Sequence, residues 1–214
     1  MSSLYPAAKT AWRNSCWPDV EFEAAFADTG HEHVQTMEYL DYLEGKLGPL
    51  KRVKADFTRQ IEGKRQFVID KWPQSLREKL GYSDEEAARI IQRALRSLKP
   101  SGNPFLDMCI WKDTLPSTRR KFCTFELKQT SMQEQVVDPI IISGRKVISW
   151  QGVRAQESPS RALLSEWEEG FDLGPKLALY RPILKWTHDE VFAQAKRHGI
   201  KPNPLYQKGC SRVG

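Results

Sequence analysis

Cysteine is scarce in this sequence, and what there is does not cluster. Cys16, Cys109, Cys123 and Cys210 are widely spaced and include no C-x-x-C pair. That distribution argues against a disulfide framework. His31 and His33 can be set beside Cys123 as metal ligands, but their spacing matches no standard zinc motif, so two surface histidines are the simpler reading. Long apolar runs are also missing: nothing approaches the roughly 18 consecutive apolar residues of a membrane helix, so no membrane partner is expected. The opening residues Met-Ser-Ser-Leu-Tyr-Pro-Ala-Ala-Lys lack the apolar core of a secretory leader, which sets a cytoplasmic expectation. There is no internal repeat and no low-complexity segment.

What is present suits a globular chain. Hydrophobic residues make up 40% and there are seven tryptophans, enough for a sizeable core. A length of 214 residues fits one domain, 1–214, with a helical insertion over about 57–118. The net charge is +6, which suits an anionic partner such as a nucleotide or a nucleic acid. The basic residues are dispersed, with short clusters at Arg119-Arg120-Lys121 and Lys51-Arg52, and so give little support to a dedicated DNA surface.

Patterning predicts alternating strands and helices. Val20 to Ala27 begins with alternation and becomes fully apolar, as a buried strand does. Thr29 and Glu32 have capping-box spacing before a helix over 33–47. Leu50 to Ala55 reads as a strand, and 57–72 as helical. Ser83 and Glu86 form a second capping box, opening an amphipathic helix to Leu98, and Lys99-Pro-Ser-Gly-Asn-Pro104 is a loop. Helix is expected over 119–136, strand over 146–153, and strand or extended chain over Leu177 to Leu184. Thr187 caps a last helix, stopped by Gly199, and 201–206 reads as a rigid extended tail. This alternation implies βαβ units and a mainly parallel sheet.

Three groups of residues carry candidate chemistry. Beyond the 146–153 strand come Arg154, Glu157, Ser158 and Arg161. Ligands of open α/β sheets bind past the carboxyl ends of strands, and guanidinium forks match tetrahedral oxyanions. The competing reading is a solvated surface turn. Asp28, with Thr29 and Gly30, falls where the first strand ends, so its carboxylate can accept from ribose hydroxyls or an adenine amine; a helix cap is an equal alternative. Arg119, Arg120 and Lys121 precede Cys123, and a positive field favours thiolate. Lys128 follows Cys123 by five residues and need not share its face in an α-helix.

Four segments, in order, resemble the phosphoadenosine phosphosulfate (PAPS) reductase family, of the PP-loop superfamily. They are Phe26-Ala-Asp-Thr-Gly-His-Glu-His33; Pro116 to Lys128, with its arginines and Cys-Thr-x-x-Leu-Lys; Gly152-Val-Arg-Ala-Gln-Glu-Ser158 with Arg161; and Asn203-Pro-Leu-Tyr-x-x-Gly-Cys-Ser-Arg212, which follows an Arg-Pro-Ile-Leu-Lys-Trp-Thr-His-Asp-Glu run at 181–190. The texture is similar to phage or mobile-element members. The resemblance implies a Rossmann-like, doubly wound α/β fold with a mainly parallel sheet flanked by helices. It implies an adenine nucleotide ligand, PAPS or ATP, and a thiol reductant such as thioredoxin. Homo-oligomerisation and a nucleic-acid partner are left open. Gly152, Arg154 and Arg161 would hold the phosphosulfate or pyrophosphate end, with Glu157 orienting Arg154; Asp28, Thr29, Gly30, Arg119, Arg120, Lys128, Lys208 and Arg212 would complete the nucleotide and anion site. Cys210 and Cys123 are its candidate catalytic thiols.

The sequence also departs from that family. No segment matches its Ser-Gly-Gly-Lys-Asp-Ser loop, whose backbone donors cradle phosphate at a helix N-terminus. Leu4 to Trp12 is read as a remnant of the first helix, and the chain as a fragment shortened at both ends or a degenerate copy. Two thiolates cannot supply four-cysteine ligation, so Cys123 and Cys210 become iron–sulfur ligands only in a longer protein with further cysteines. Loss of the usual first, central strand predicts a rearranged sheet edge, or a sheet completed by another element. Three functions follow: sulfonucleotide reduction with release of sulfite; ATP-dependent sulfur transfer or DNA modification, as in phosphorothioation systems; and a non-catalytic nucleotide- or partner-binding remnant.

Overall fold

The computed structural model describes residues 21–117, 120, 122–169 and 174–210. The chain divides into two compact units. One comprises Met1–Phe26, Glu32–Lys51 and Glu134–Gly214; the other comprises Ala27–His31 and Arg52–Gln133. The fold is α/β, as the alternation predicts. Its strands fall into two sheets: β1 (Ala24–Asp28) with β2 (Leu50–Lys54), and β3 (Val147–Trp150), β4 (Trp167–Glu169) and β5 (Leu177–Tyr180) in the order β3-β5-β4. β3 and β5 are parallel, with Trp150 opposite Tyr180. β4 runs antiparallel on the far side of β5, with Trp167 also opposite Tyr180.

That register lines three aromatic rings across one face. Tyr180 meets Trp150 edge-on at 5.2 Å and Trp167 at 5.8 Å. Phe22 adds a fourth ring against Trp150 at 6.2 Å. On the opposite face Arg181 is 4% exposed. Its guanidinium donates to Gln151 Oε1 (3.0 Å), the Ser165 carbonyl (2.8 Å) and Glu168 Oε2 (3.1 Å). A buried guanidinium needs this full set of acceptors. It knits the three strands together, and it holds the Glu168 carboxyl below its ordinary range.

In the unit that contains this sheet, α1 (Val34–Leu47) and α7 (His188–Arg197) pack Tyr39, Leu43, Ala195 and Ile200 into a small core. The Tyr39 hydroxyl donates to the Lys201 carbonyl at 2.7 Å. α1 does not start at the expected capping box. Thr29 Oγ1 instead accepts from His31 N–H, and His33 Nδ1 caps the helix by accepting from Gln35 N–H at 3.1 Å. The expected extended tail is another correction: α8 (Pro204–Gln207) is a short helix, capped by buried Asn203 through Leu205 N–H at 2.9 Å. Asn-Pro is a cap followed by a first-turn proline, which favours this outcome.

The other unit is mostly helical. α2 (Thr58–Glu78) and α3 (Asp84–Ser97) form a hairpin, and α4 (Pro104–Lys112) packs against α2. α4 replaces part of the expected loop, again with an Asn-Pro start. Phe57, Ile61, Val68, Leu98, Met108 and Leu127 form the core. Two cations on α2 cap its neighbours. Lys64 Nζ donates to the carbonyls of Ile110 and Trp111 near the end of α4, and Arg65 to those of Leu95 and Leu98 at the end of α3. Such contacts satisfy carbonyls that a helix leaves unpaired at its end. The expected 119–136 helix does not include Arg120, which is not helical; from Phe122 on the chain is helical, but wound as π-helix over Thr124–Thr130 and Gln133–Val137, followed by α5 (Asp138–Ile142).

Candidate anion-binding site

Beyond β3 the chain runs beside β5 and its continuation. Gln151 N–H donates to the Tyr180 carbonyl and Ala155 N–H to that of Leu184, both at 2.8 Å. Residues 152–154 are therefore extended, and a 3-10 turn at Ala155–Glu157 follows. Ser158 then caps α6 (Pro159–Ala162) by accepting from Arg161 N–H at 3.3 Å. This strand–turn–helix path puts Arg154 and Arg161 on either side of Glu157. Arg154 Nε lies 3.5 Å from Glu157 Oε1, and Arg161 pairs with the other carboxylate oxygen. The side chains of Arg154 and Glu157 are 14% and 16% exposed, and that of Arg161 is 39% exposed. Two cations thus flank one carboxylate in a half-enclosed place at the carboxyl end of a parallel strand. Gly152 lies two residues before Arg154 on the same path.

The loop is tied to α7, and α8 packs its Tyr206 ring on the same helix. Gln156 Oε1 accepts from His188 N–H at 3.3 Å, tying the turn to the start of α7. Tyr206 on α8 lies edge-on to Phe192 at 5.2 Å and to His188 at 6.4 Å. Lys208 Nζ donates to Gln35 Oε1 at 2.9 Å. Cys210 is exposed. Tyr206, Gln156 and His188 did not emerge as site candidates from the sequence. Tyr206 stood in the Asn-Pro-Leu-Tyr segment, but nothing local distinguishes it from a core aromatic.

The other unit holds Asp28, Thr29, Gly30, Arg120, Cys123 and Lys128. Asp28 Oδ1 accepts from Gly30 N–H at 2.8 Å, a turn that ends β1. Gly30 has φ 72° and its carbonyl accepts from Asn103 Nδ2 at 2.8 Å. His31 stacks on Phe105 at 4.5 Å. The loop is thus clamped on the start of α4, where buried Asp107 accepts from Ser101 N–H, Ser101 Oγ and Gly102 N–H. Arg120 is exposed, with its N–H bonded to the Ser117 carbonyl. Cys123 packs against the core beside Cys109, whose thiol is pushed up by burial and by Cys123. Wound with i→i+5 hydrogen bonds, the π-helix makes the five-residue step from Cys123 to Lys128 about one turn, unlike the α-helical spacing. Arg119 and Arg212 lie outside the described residues.

The described residues do not fit an iron–sulfur cluster. They hold no group of three or more His, Cys, Asp or Glu able to bind a metal. Nor is any described helix long and apolar enough to cross a membrane.

The fold is α/β, with two arginines paired to one carboxylate past the carboxyl end of a parallel strand. A phosphoadenosine phosphosulfate reductase domain matches residues 12–214, and the chain belongs to that family. An uncharacterised 37.8 kDa protein of Escherichia phage 186 is 64% identical over 196 residues, covering 92% of this chain and 59% of that protein. Adenosine 5'-phosphosulfate reductase of Burkholderia cepacia is 31% identical over 90 residues, 42% of this chain and 35% of the enzyme. The chain thus spans under two thirds of the length of these curated relatives. The crystal structure of a PAPS reductase from Candida auris, in phosphate complex, aligns over 89% of this chain and 67% of its own, with 17% identity and a TM-score of 0.46.

Proposed function

We propose that this chain binds an adenine nucleotide and serves sulfonucleotide reduction, the thiol-dependent release of sulfite from phosphoadenylyl sulfate. The observation that carries the reading is the Arg154–Glu157–Arg161 cluster past the end of β3, within a PAPS reductase domain. Guanidinium groups in a half-enclosed site stabilise negative charge that builds up as a bond to sulfur breaks. In this reading Arg154 and Arg161 hold the phosphosulfate end, with Glu157 keeping Arg154 in place.

Cys210, exposed near the end of the chain, is the candidate nucleophile, with Cys123 as the second candidate. The thiolate attacks sulfur, the S–O bond to phosphate breaks, and adenosine bisphosphate leaves with that electron pair. A dithiol reductant such as thioredoxin then displaces sulfite from the S-sulfocysteine and closes its own disulfide. The +6 charge favours a second reading, ATP-dependent sulfur transfer on nucleic acid.

Titration with PAPS, adenosine 5'-phosphosulfate and ATP, followed by a sulfite assay with reduced thioredoxin, separates these. Preference for PAPS with sulfite release supports reduction. Binding of ATP only in the presence of DNA supports the second reading, and nucleotide binding without turnover leaves a binding module. Arg154→Ala is expected to weaken nucleotide binding by about 1.5–3 kcal/mol, the size of a hydrogen bond to a charged group. An unchanged dissociation constant removes Arg154 from the site.

A further inference from the structure

Basic residues that look dispersed along the sequence are gathered by α3 onto one surface. From Ala87 to Lys99 there are four cations, Arg89, Arg93, Arg96 and Lys99, and no acidic residue. The three arginines stand at spacings of four and three, which place them on one face of the helix, with Gln92 among them. All of these residues are exposed. The apolar side of α3 is turned the other way: Ala87 and Leu98 are buried, and Ile91, Ala94 and Leu95 pack on the core.

Two ordinary structural roles do not account for these charges. Basic residues at a helix end commonly bond its last carbonyls. Here Arg65 of α2 takes that role, donating to the carbonyls of Leu95 and Leu98 at 2.6 and 2.8 Å. Basic residues on one arm of a hairpin can also pair with acids on the other. The acids of α2 are used within their own helix: Glu62 lies 3.4 Å from Arg65, and Asp70 and Glu78 accept from Gln66 and Gln74. At the start of α3, Asp84 pairs with Arg77 and Glu86 accepts from Ser83. Glu85 stands one turn before Arg89 and offsets that end of the stripe. Arg93, Arg96 and Lys99 form no ion pair or side-chain hydrogen bond among the described residues.

We propose that this face of α3 binds the phosphate backbone of duplex DNA without reading its sequence. Arg89 to Arg96 covers about 10 Å of helix at about 1.5 Å per residue, and each DNA strand offers a phosphate about every 3.4 Å along the duplex axis. The three guanidinium groups therefore match about three successive phosphates, and Gln92 adds a neutral donor between them. The exposed large hydrophobic residues of the chain include none from α3. The face thus has no apolar anchor for a bilayer and no ring for base stacking, while its charge complements a polyanion. The proposal goes beyond the nucleotide reading, since α3 and the Arg154 loop belong to different units of the fold.

The test is fluorescence anisotropy of a labelled DNA duplex titrated with the full chain as salt is raised. Wild type is expected to bind with a log–log salt slope near about −3, roughly 0.9 for each phosphate contact, and to bind a duplex of shuffled sequence equally well. Arg93→Gln/Arg96→Gln puts good helix formers at two exposed positions, so its thermal melting is expected to match wild type. Its affinity near about 0.1 M salt is expected to fall about tenfold, and its slope to flatten by about 2. Lys196→Gln/Arg197→Gln removes the same charge from exposed positions at the end of α7 and is expected to stay within about twofold. Unchanged affinity and slope in the α3 variant overturn the proposal. An equal loss in the α7 variant also overturns it, by showing a diffuse field in place of a binding face. So does wild type that ignores the duplex, whether or not it binds vesicles containing phosphatidylserine. Titration of the α3 variant with PAPS is expected to match wild type, so the DNA face and the nucleotide site stand or fall separately.

Discussion

At Gly30 a hydrogen atom stands where a methyl group would not fit. A Cβ there would lie 2.7 Å from Pro104 Cδ and 2.8 Å from Asn103 Oδ1, on a backbone with φ 72°. Gly30→Ala therefore combines left-handed strain with a steric clash and is expected to destabilise the protein by about 1–3 kcal/mol in urea titration. A wild-type midpoint would show that Asn103 and Pro104 yield easily. The turn itself was legible, because Asp-Thr-Gly at the end of an apolar run is a local signal. The partner was not, since Asn103 lies 73 residues away. The same contrast divides the anion loop. Arg154, Glu157 and Arg161 pair at spacings of three and four, within reach of sequence reasoning. Tyr206, by contrast, meets Phe192 and His188 only through tertiary packing.

Helix starts show which local rules survive in the folded chain. Both the Ser83–Glu86 and the Thr187–Glu190 boxes form with reciprocal bonds. Ser83→Ala and Thr187→Ala are each expected to cost about 1 kcal/mol by thermal melting. Hydrogen bonds from the caps hold the carboxyls of Glu86 and Glu190 below the ordinary glutamate range. Because the folded-state pKa is lowered, this stabilisation is complete at neutral pH and is lost as pH falls through the acid range. The melting penalty of each cap variant should therefore shrink on acidification, and a pH-independent penalty would contradict it. The Thr29–Glu32 spacing was a false match, because Gly30 turns the chain before the helix can begin. α4 was announced by Asn103-Pro104, a cap-and-proline pair that also reads as a loop breaker. The π winding near Cys123 left no periodic trace, since a mixed polar and apolar run fits either helix type.

Across the whole chain, alternation identified an α/β fold but not how the strands divide. Two sheets take the place of one continuous sheet among the described residues. β4 escaped notice because three residues, two of them glutamates, carry no readable period. Charge is a property at this scale too. A net +6 should retain the protein on a cation exchanger at pH 7, with elution as salt rises and the screening length falls to about 10 Å near 0.1 M. Recovery in the unbound fraction at low salt would mean that the excess positive charge does not act as a surface field.

The ring row across β3, β5 and β4 gives the protein a built-in optical reporter. Two indoles, 41% and 43% exposed, bracket one phenol, and the first of them stands four residues before Arg154. Excitation absorbed by Tyr180 passes to indoles less than 6 Å away. Emission from Trp150 should then change when an anion settles on the loop, while Trp167, at the far side of the row, responds less. Subtracting the spectra of Trp150→Phe and Trp167→Phe from wild type isolates the two signals, so occupancy of the loop can be followed without a label or a turnover assay.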